Sequence, residues 1–189
     1  MNRKCLQKFQ IKDVVFLAIM SAVALATCAV MPLVISLQPL IFGISQLVTA
    51  LQIGVFFAIG LYKVRKPGSL LIMALMMGLI QLMMSPPMFL SSVLNGVLIE
   101  LIVLLLFRGY EKDAAVFVAA MLHTPLLLPF NYLYNRLAKG ADSPLAAVAD
   151  RAPLAAVGMT LAVIAVSALG ALIGIKIARE LKKSGVLKK

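Results

Sequence analysis

The chain has 189 residues, 62% of them hydrophobic and 13% charged, with a mean hydropathy of +1.04 and a formal net charge of +11. A soluble domain is about half apolar and about a quarter charged, so this composition excludes an ordinary water-soluble fold. The positive charge does not argue for nucleic acid, because the basic residues stand at the edges of apolar runs, as membrane topology requires.

The charges leave long blanks. None falls between Val14 and Tyr62, between Ala114 and Asn135, or between Ala152 and Ile175, and Glu100 alone interrupts Pro67 to Phe107. A helix crosses the bilayer core with roughly 20 residues, so each blank holds one span or two. The chain opens with Arg3, Lys4 and Lys8 before an apolar run, and Ala22, Ala24 and Ala26 imitate a signal-peptidase site. The run outlasts the roughly 7–15 apolar residues of a signal, which predicts an uncleaved first span over about 13–33. Pro32 and Gln38-Pro39 divide it from a second span, about 40–62. The basic turn Lys63–Gly68 leads to a third span, about 69–85, and Ser85-Pro86-Pro87 makes a short turn. A fourth span covers about 89–107 and a fifth about 114–135, either side of the loop Arg108–Asp113. A loop with Gly140, Ser143 and Pro144 precedes the sixth, about 153–176, whose helix is expected to run into the basic tail 177–189. The fold class is therefore all-α integral membrane: one domain over 1–189, a six-helix transmembrane bundle.

Topology follows from counting Lys and Arg. The two tails and the second and fourth loops share one face and carry 15 of the 18; Arg136, Lys139 and Arg151 lie on the other. The positive-inside rule then puts both termini in the cytoplasm, and an even number of spans requires them to share a side.

Several residues stand out chemically. Ala18, Ala22 and Ala26 recur every four residues on the first span, widened by Ser21 and Ala29. In lipid such a ridge lets a second helix approach closely; that helix belongs either to the same bundle or to a partner. Gly170, Gly174 and Ala178 form a second ridge, which reads as internal packing. Glu100 is the only acidic residue deep in an apolar run. A charge there is unfavourable by about 3 kcal/mol even on the forgiving insertion scales. It must face the bundle interior or a wet cavity, as a functional group or as a structural hydrogen-bonding one. His123, the only histidine, precedes Thr124-Pro125 in mid-span, where proline frees backbone carbonyls that local polar groups can satisfy. It is open to a ligand contact or to that structural use. Asn131 and Asn135 share the Thr124 face, while Tyr132 and Tyr134 suit an interfacial belt as well as a pocket mouth. Cys28 reads as a small apolar filler, and with Cys5 it forms no disulfide or metal pattern.

Together Asn95, Glu100, His123 and Asn131, with Phe89 and Tyr132 near the mouth and amides at Gln81, Gln38, Gln46 and Gln52, compose an outward-facing pocket for an uncharged or cationic heterocycle. The loops 33–40 and 136–152 are candidate lids. No phosphate-binding loop, HExxH, Cys/His cluster, GxSxG or paired intramembrane carboxylate is present. Catalytic residues, metal ligands and a bound cofactor are therefore not expected, and energy coupling must come from elsewhere. A standalone small-solute channel or carrier would need an internal repeat or a continuous polar path. An intramembrane enzyme would have to use Glu100 and His123 as acid and base.

The chain resembles the substrate-binding S components of energy-coupling-factor (ECF) vitamin transporters over nearly its whole length. The resemblance lies in size, six spans, the ridge Ala18, Ala22, Ala26 and the opening Ile11–Ala18. Lys63–Gly68 and Asn95–Glu100 are similar to the hydroxymethylpyrimidine or thiamine branch. The resemblance implies a non-enzymatic subunit of a bacterial plasma membrane that captures a vitamin or its precursor from outside. It would dock through the alanine ridge on a T component energised by two ATPase subunits, which alone bind ATP. Toppling of the subunit in the bilayer would then release substrate inside.

Overall fold

The computed structural model describes residues 8–28, 34, 36–37, 40–140 and 143–185. Pro32, Gln38, Pro39 and half of the candidate lid at 33–40 lie outside the described residues. Seven helices with described bounds follow in order among these residues: α1 (Ile11–Thr27), α2 (Ile44–Val64), α3 (Ser69–Leu82), α4 (Pro86–Phe107), α5 (Asp113–Lys139), α6 (Pro144–Arg151) and α7 (Pro153–Lys183). No strand occurs among the described residues. Six of the helices match the six expected spans. The seventh, α6, is a short helix inside the loop expected at 136–152.

Helices α2, α4, α5 and α7 are long and apolar enough to cross a membrane. The other two are shorter. α1 has 17 residues and α3 has 14, so α3 rises only about 21 Å against a hydrocarbon core of about 30 Å. Its helix stops at Leu82, where the expected span runs to 85. The fourth span begins three residues earlier than expected, because Pro86 and Pro87 occupy its first turn rather than a separate turn. There the missing N–H is no loss and the fixed φ suits a helix.

The core gathers around α2, whose span is 61% buried against 22% for α7. Phe57 and Leu61 of α2 meet Leu17 of α1, Leu70 and Met73 of α3, Ile99 and Val103 of α4, and Val116 of α5. Helices α2 and α7 touch backbone to backbone. A Cβ placed on Gly170 would stand 2.5 Å from the Leu51 carbonyl oxygen, and one on Gly174 2.5 Å from that of Val55. The glycine ridge of the last span is therefore internal, as expected. α3 and α4 approach the same way at Gly96, whose Cβ would meet that of Ala74 at 2.5 Å. Leu105, Leu106 and Leu154 point outward, an apolar surface that suits lipid.

Two ends of the bundle are held differently. At the end bearing the described chain termini, Lys66 pairs with Asp13 at 2.6 Å, and Asp113 is held by both Arg65 and Arg179, the latter at 2.6 Å. These pairs join α1, the α2–α3 turn, the start of α5 and the end of α7. Arg65 and Arg108 close α2 and α4 in the left-handed region, which strains a side-chain-bearing residue by about 1 kcal/mol. Arg65 is held there by Asp113, by the Tyr62 carbonyl at 3.2 Å and by the Tyr62 ring at 4.1 Å. At the opposite end, Arg136 of α5 pairs with Asp150 of α6 at 3.0 Å, with both side chains about half exposed.

Candidate functional site

The sequence-derived candidates fall at three levels of the bundle. The middle level lies where α2, α4 and α5 converge. Asn95 of α4 and His123 of α5 are fully buried, and the Asn95 Nδ2 donates to the His123 carbonyl at 2.7 Å. The His123 ring lies against Phe57 of α2, centroids 4.3 Å apart. Thr124 beside it is also fully buried. The proline that follows explains the local geometry. Pro125 has no N–H to offer the Met121 carbonyl one turn back, and Ser167 of α7 donates its hydroxyl there instead, at 2.7 Å. This ties α5 to α7 at the proline.

The polar atoms at this level are only partly satisfied. Asn95 Oδ1, Thr124 Oγ1 and both ring nitrogens of His123 are buried without a hydrogen-bond partner, as is Gln52 Oε1 five residues before Phe57 on α2. With Ser69 Oγ at the start of α3, six such atoms occur among the described residues; an unmet buried polar group costs about 1–3 kcal/mol, so the four that meet on neighbouring residues here call for a cause. A bound molecule carrying both donors and acceptors would satisfy them. Asn95 Oδ1 only accepts, the Thr124 hydroxyl does both, and an imidazole always offers at least one donor.

Glu100 lies elsewhere. It follows Asn95 by five residues, about 7.5 Å along the helix towards the end with the chain termini. Its carboxylate accepts from the Gly68 N–H at 2.6 Å and from the Tyr110 hydroxyl at 3.0 Å, and the N–H groups of Leu70 and Leu71 lie close enough to favour its charge. It therefore covers the first turn of α3, whose N–H groups have no helical partners and whose dipole favours a negative group. Gly68 turns at φ +91 to bring that end of α3 to it. Burial and the adjoining Glu100 carboxylate together raise the Tyr110 hydroxyl pKa well above its usual value. Glu100 and His123 thus have separate partners, and no acid–base pair is assembled.

The third level is the opposite end. Tyr132 donates to Asp150 at 2.7 Å, Ser143 donates to Asn135 at 3.1 Å, and the Asn135 amide donates to the Asn131 carbonyl at 2.8 Å. Asn131 and Tyr132 are half-buried here, beside the loop proposed as a lid. Phe89 packs over Gly78, where a Cβ would stand 3.2 Å from its ring, and Gln81 lies half-buried one turn on. Asn95 and His123 are thus brought into contact, Phe89, Gln81, Asn131 and Tyr132 lie towards one end, and Glu100 joins the other end. Sequence reading missed Phe57, Ser167 and Tyr110. Pro125 carries a signal for one of them, since a freed carbonyl at Met121 demands a donor from a neighbouring span.

Helix α1 divides its faces. Leu17, Ser21, Ala24 and Cys28 are buried, and Ser21 donates to the Met73 carbonyl of α3 at 3.1 Å. Ala22 and Ala26 are exposed and Ala18 half-buried, next to exposed Val15 and Ile19. No described part of the chain covers that ridge.

Comparison with known proteins gives two positive findings. A family model described as a hypothetical bacterial integral membrane protein (Trep_Strep) matches residues 11–183. Among solved structures, the chain is similar to the crystal structure of an S-component of ECF transporter. They share 21% identity over 95% of this chain and 89% of that one, with a TM-score of 0.64. At this identity the likeness is one of fold. No curated protein matches the chain.

Proposed function

The chain belongs to that bacterial integral membrane family, and from this premise we propose that it is the substrate-binding S component of an ECF-type importer. The S-component fold carries the reading. The ligand is a vitamin or vitamin precursor, a hydroxymethylpyrimidine- or thiamine-like heterocycle. It occupies the level of Asn95, His123 and Thr124, where unmet donors and acceptors would become paired. Phe89, Gln81, Asn131 and Tyr132 line the approach, and the segment carrying α6 closes over it. In this reading Glu100 supports α3 beneath the site rather than touching the ligand. The work is binding, not catalysis. ATP is bound only by two partner ATPase subunits, and the uncovered ridge of Ala18, Ala22 and Ala26 docks on a T component. The Lys and Arg distribution supports cytoplasmic termini in a bacterial plasma membrane.

Copurification with a T component and two ATPases tests the assembly. Ala18→Leu and Ala22→Leu should abolish it while sparing ligand binding; normal assembly and transport by both variants would remove the docking surface. A thermal-shift screen of B vitamins and their precursors tests the site, since a binder stabilises the native state by mass action. Asn95→Ala and Asn131→Ala should lower the shift, and wild-type affinity in both would overturn the pocket. Uptake by liposomes lacking any ATPase would favour a standalone carrier instead.

A further inference from the structure

We propose that the last turns of α7 seat the headgroup of an anionic, single-phosphate glycerophospholipid. A groove of about 660 Å³ runs along this helix, lined by Ile173, Lys176, Ile177, Glu180, Leu181 and Ser184. It lies outside the bundle: Ile173 and Ile177 are exposed, whereas Gly174, Ile175 and Ala178 face α2 and the core. Its depth follows from the charge pattern. No charge occurs from Ala152 to Ile175, a stretch longer than the roughly 20 residues that cross the hydrocarbon. Lys176 is the first charge after it and therefore marks the boundary between acyl chains and headgroups. An outward apolar face at that depth is met by acyl chains, so Ile173 and Ile177 contact the upper part of a lipid tail. Lys176 stands beside them at the level of the phosphate.

The charge of the groove selects the headgroup. Glu180, the one acid lining it, is paired with Lys183 at 2.7 Å. Asp113, the nearby acid at the start of α5, is held by Arg65 and Arg179. Lys176 has no acidic partner among the described residues. With Glu180 neutralised by Lys183, the rim carries one unpaired positive charge, that of Lys176. A headgroup with net negative charge complements it, and a zwitterionic one brings a cation that the groove does not match. The proposal is independent of the importer reading and needs only that α7 crosses a bilayer.

Native mass spectrometry of the full chain tests it, with equal amounts of dioleoyl phosphatidylglycerol and dioleoyl phosphatidylcholine. The anionic lipid should be retained in preference. Lys176→Gln should reduce its retention about fivefold, the usual worth of one basic residue near an anionic surface. Lys176→Glu should reverse the preference. Lys12→Gln, an exposed cation near the same end of the bundle, should leave it unchanged, and all three variants should unfold thermally like the parent. Equal retention of the two lipids overturns the proposal, as does an equal loss in Lys12→Gln and Lys176→Gln, which would mean diffuse surface attraction. Displacement by excess inorganic phosphate would mark a bare anion site and overturn it too. So would a dimeric mass lost on Ile177→Asp, because the groove would then be filled by a second copy.

Discussion

The two ends of this bundle hold their loops by opposite means. At the end with the described termini, acids and bases are half withdrawn from solvent and shared between helices: the side chains of Lys66 and Asp13 are 19% and 14% exposed. Glu100 fastens the start of α3 from within the bundle. At the other end, Arg136 and Asp150 are 52% and 47% exposed and join only α5 to the short helix α6. Between them lies the level where buried polar atoms are unmet. A protein that must admit a ligand from one side and stay assembled on the other would be built this way. Regions that open are drawn from the weakly held parts of a fold.

Glu100→Ala should have the largest effect. It strips two donated hydrogen bonds from one buried charged acceptor and should lower unfolding stability by about 3 kcal/mol. Thermal unfolding in detergent measures this, and Glu100→Gln, which keeps one acceptor oxygen, should fall between. In both variants the affinity for any ligand found by screening should stay within a few-fold of the parent. A complete loss of binding without a loss of stability would move Glu100 back into the pocket. Asp113→Ala breaks two partly exposed pairs at once and should lower stability by about 1 kcal/mol.

Thr124→Val, a nearly isosteric exchange, should act in the other direction at the middle level. Removing an unmet hydroxyl should leave the ligand-free protein as stable or up to about 1 kcal/mol more so, while the ligand-induced shift shrinks. A marked destabilisation would mean that the hydroxyl already has a structural partner. Asp150→Ala should do least, below about 0.5 kcal/mol. Limited proteolysis should nonetheless find 140–152 cut faster. If Asp150→Ala destabilises as much as Asp113→Ala, the contrast between the ends disappears.

Much of the architecture was legible from residues alone, for a simple reason. In lipid every backbone polar group must be met within its own segment, so long uncharged runs have to be helices. Proline and basic residues then place the turns. The glycine ridge of α7 could be read as internal because small residues four apart let a neighbouring helix approach closely. The site was less legible. Asn95 and His123 were both named as candidates, but their contact depends on how α4 meets α5, and no spacing along one helix encodes that. Phe57 carries no polar signal at all.

Glu100 shows the limit most clearly. Sequence alone required a buried carboxylate to find partners, because an isolated charge in hydrocarbon is too unfavourable to persist. It also determined the membrane class, the six helices and the small-residue ridge on the first of them, since these follow from local hydropathy and side-chain size. Which partners Glu100 found was decided only in three dimensions. The turn at Gly68 brings the open N–H groups of α3 against it. The same holds for the ridge at Ala22 and Ala26: its spacing is a property of the chain, but its being left uncovered is a property of the packing.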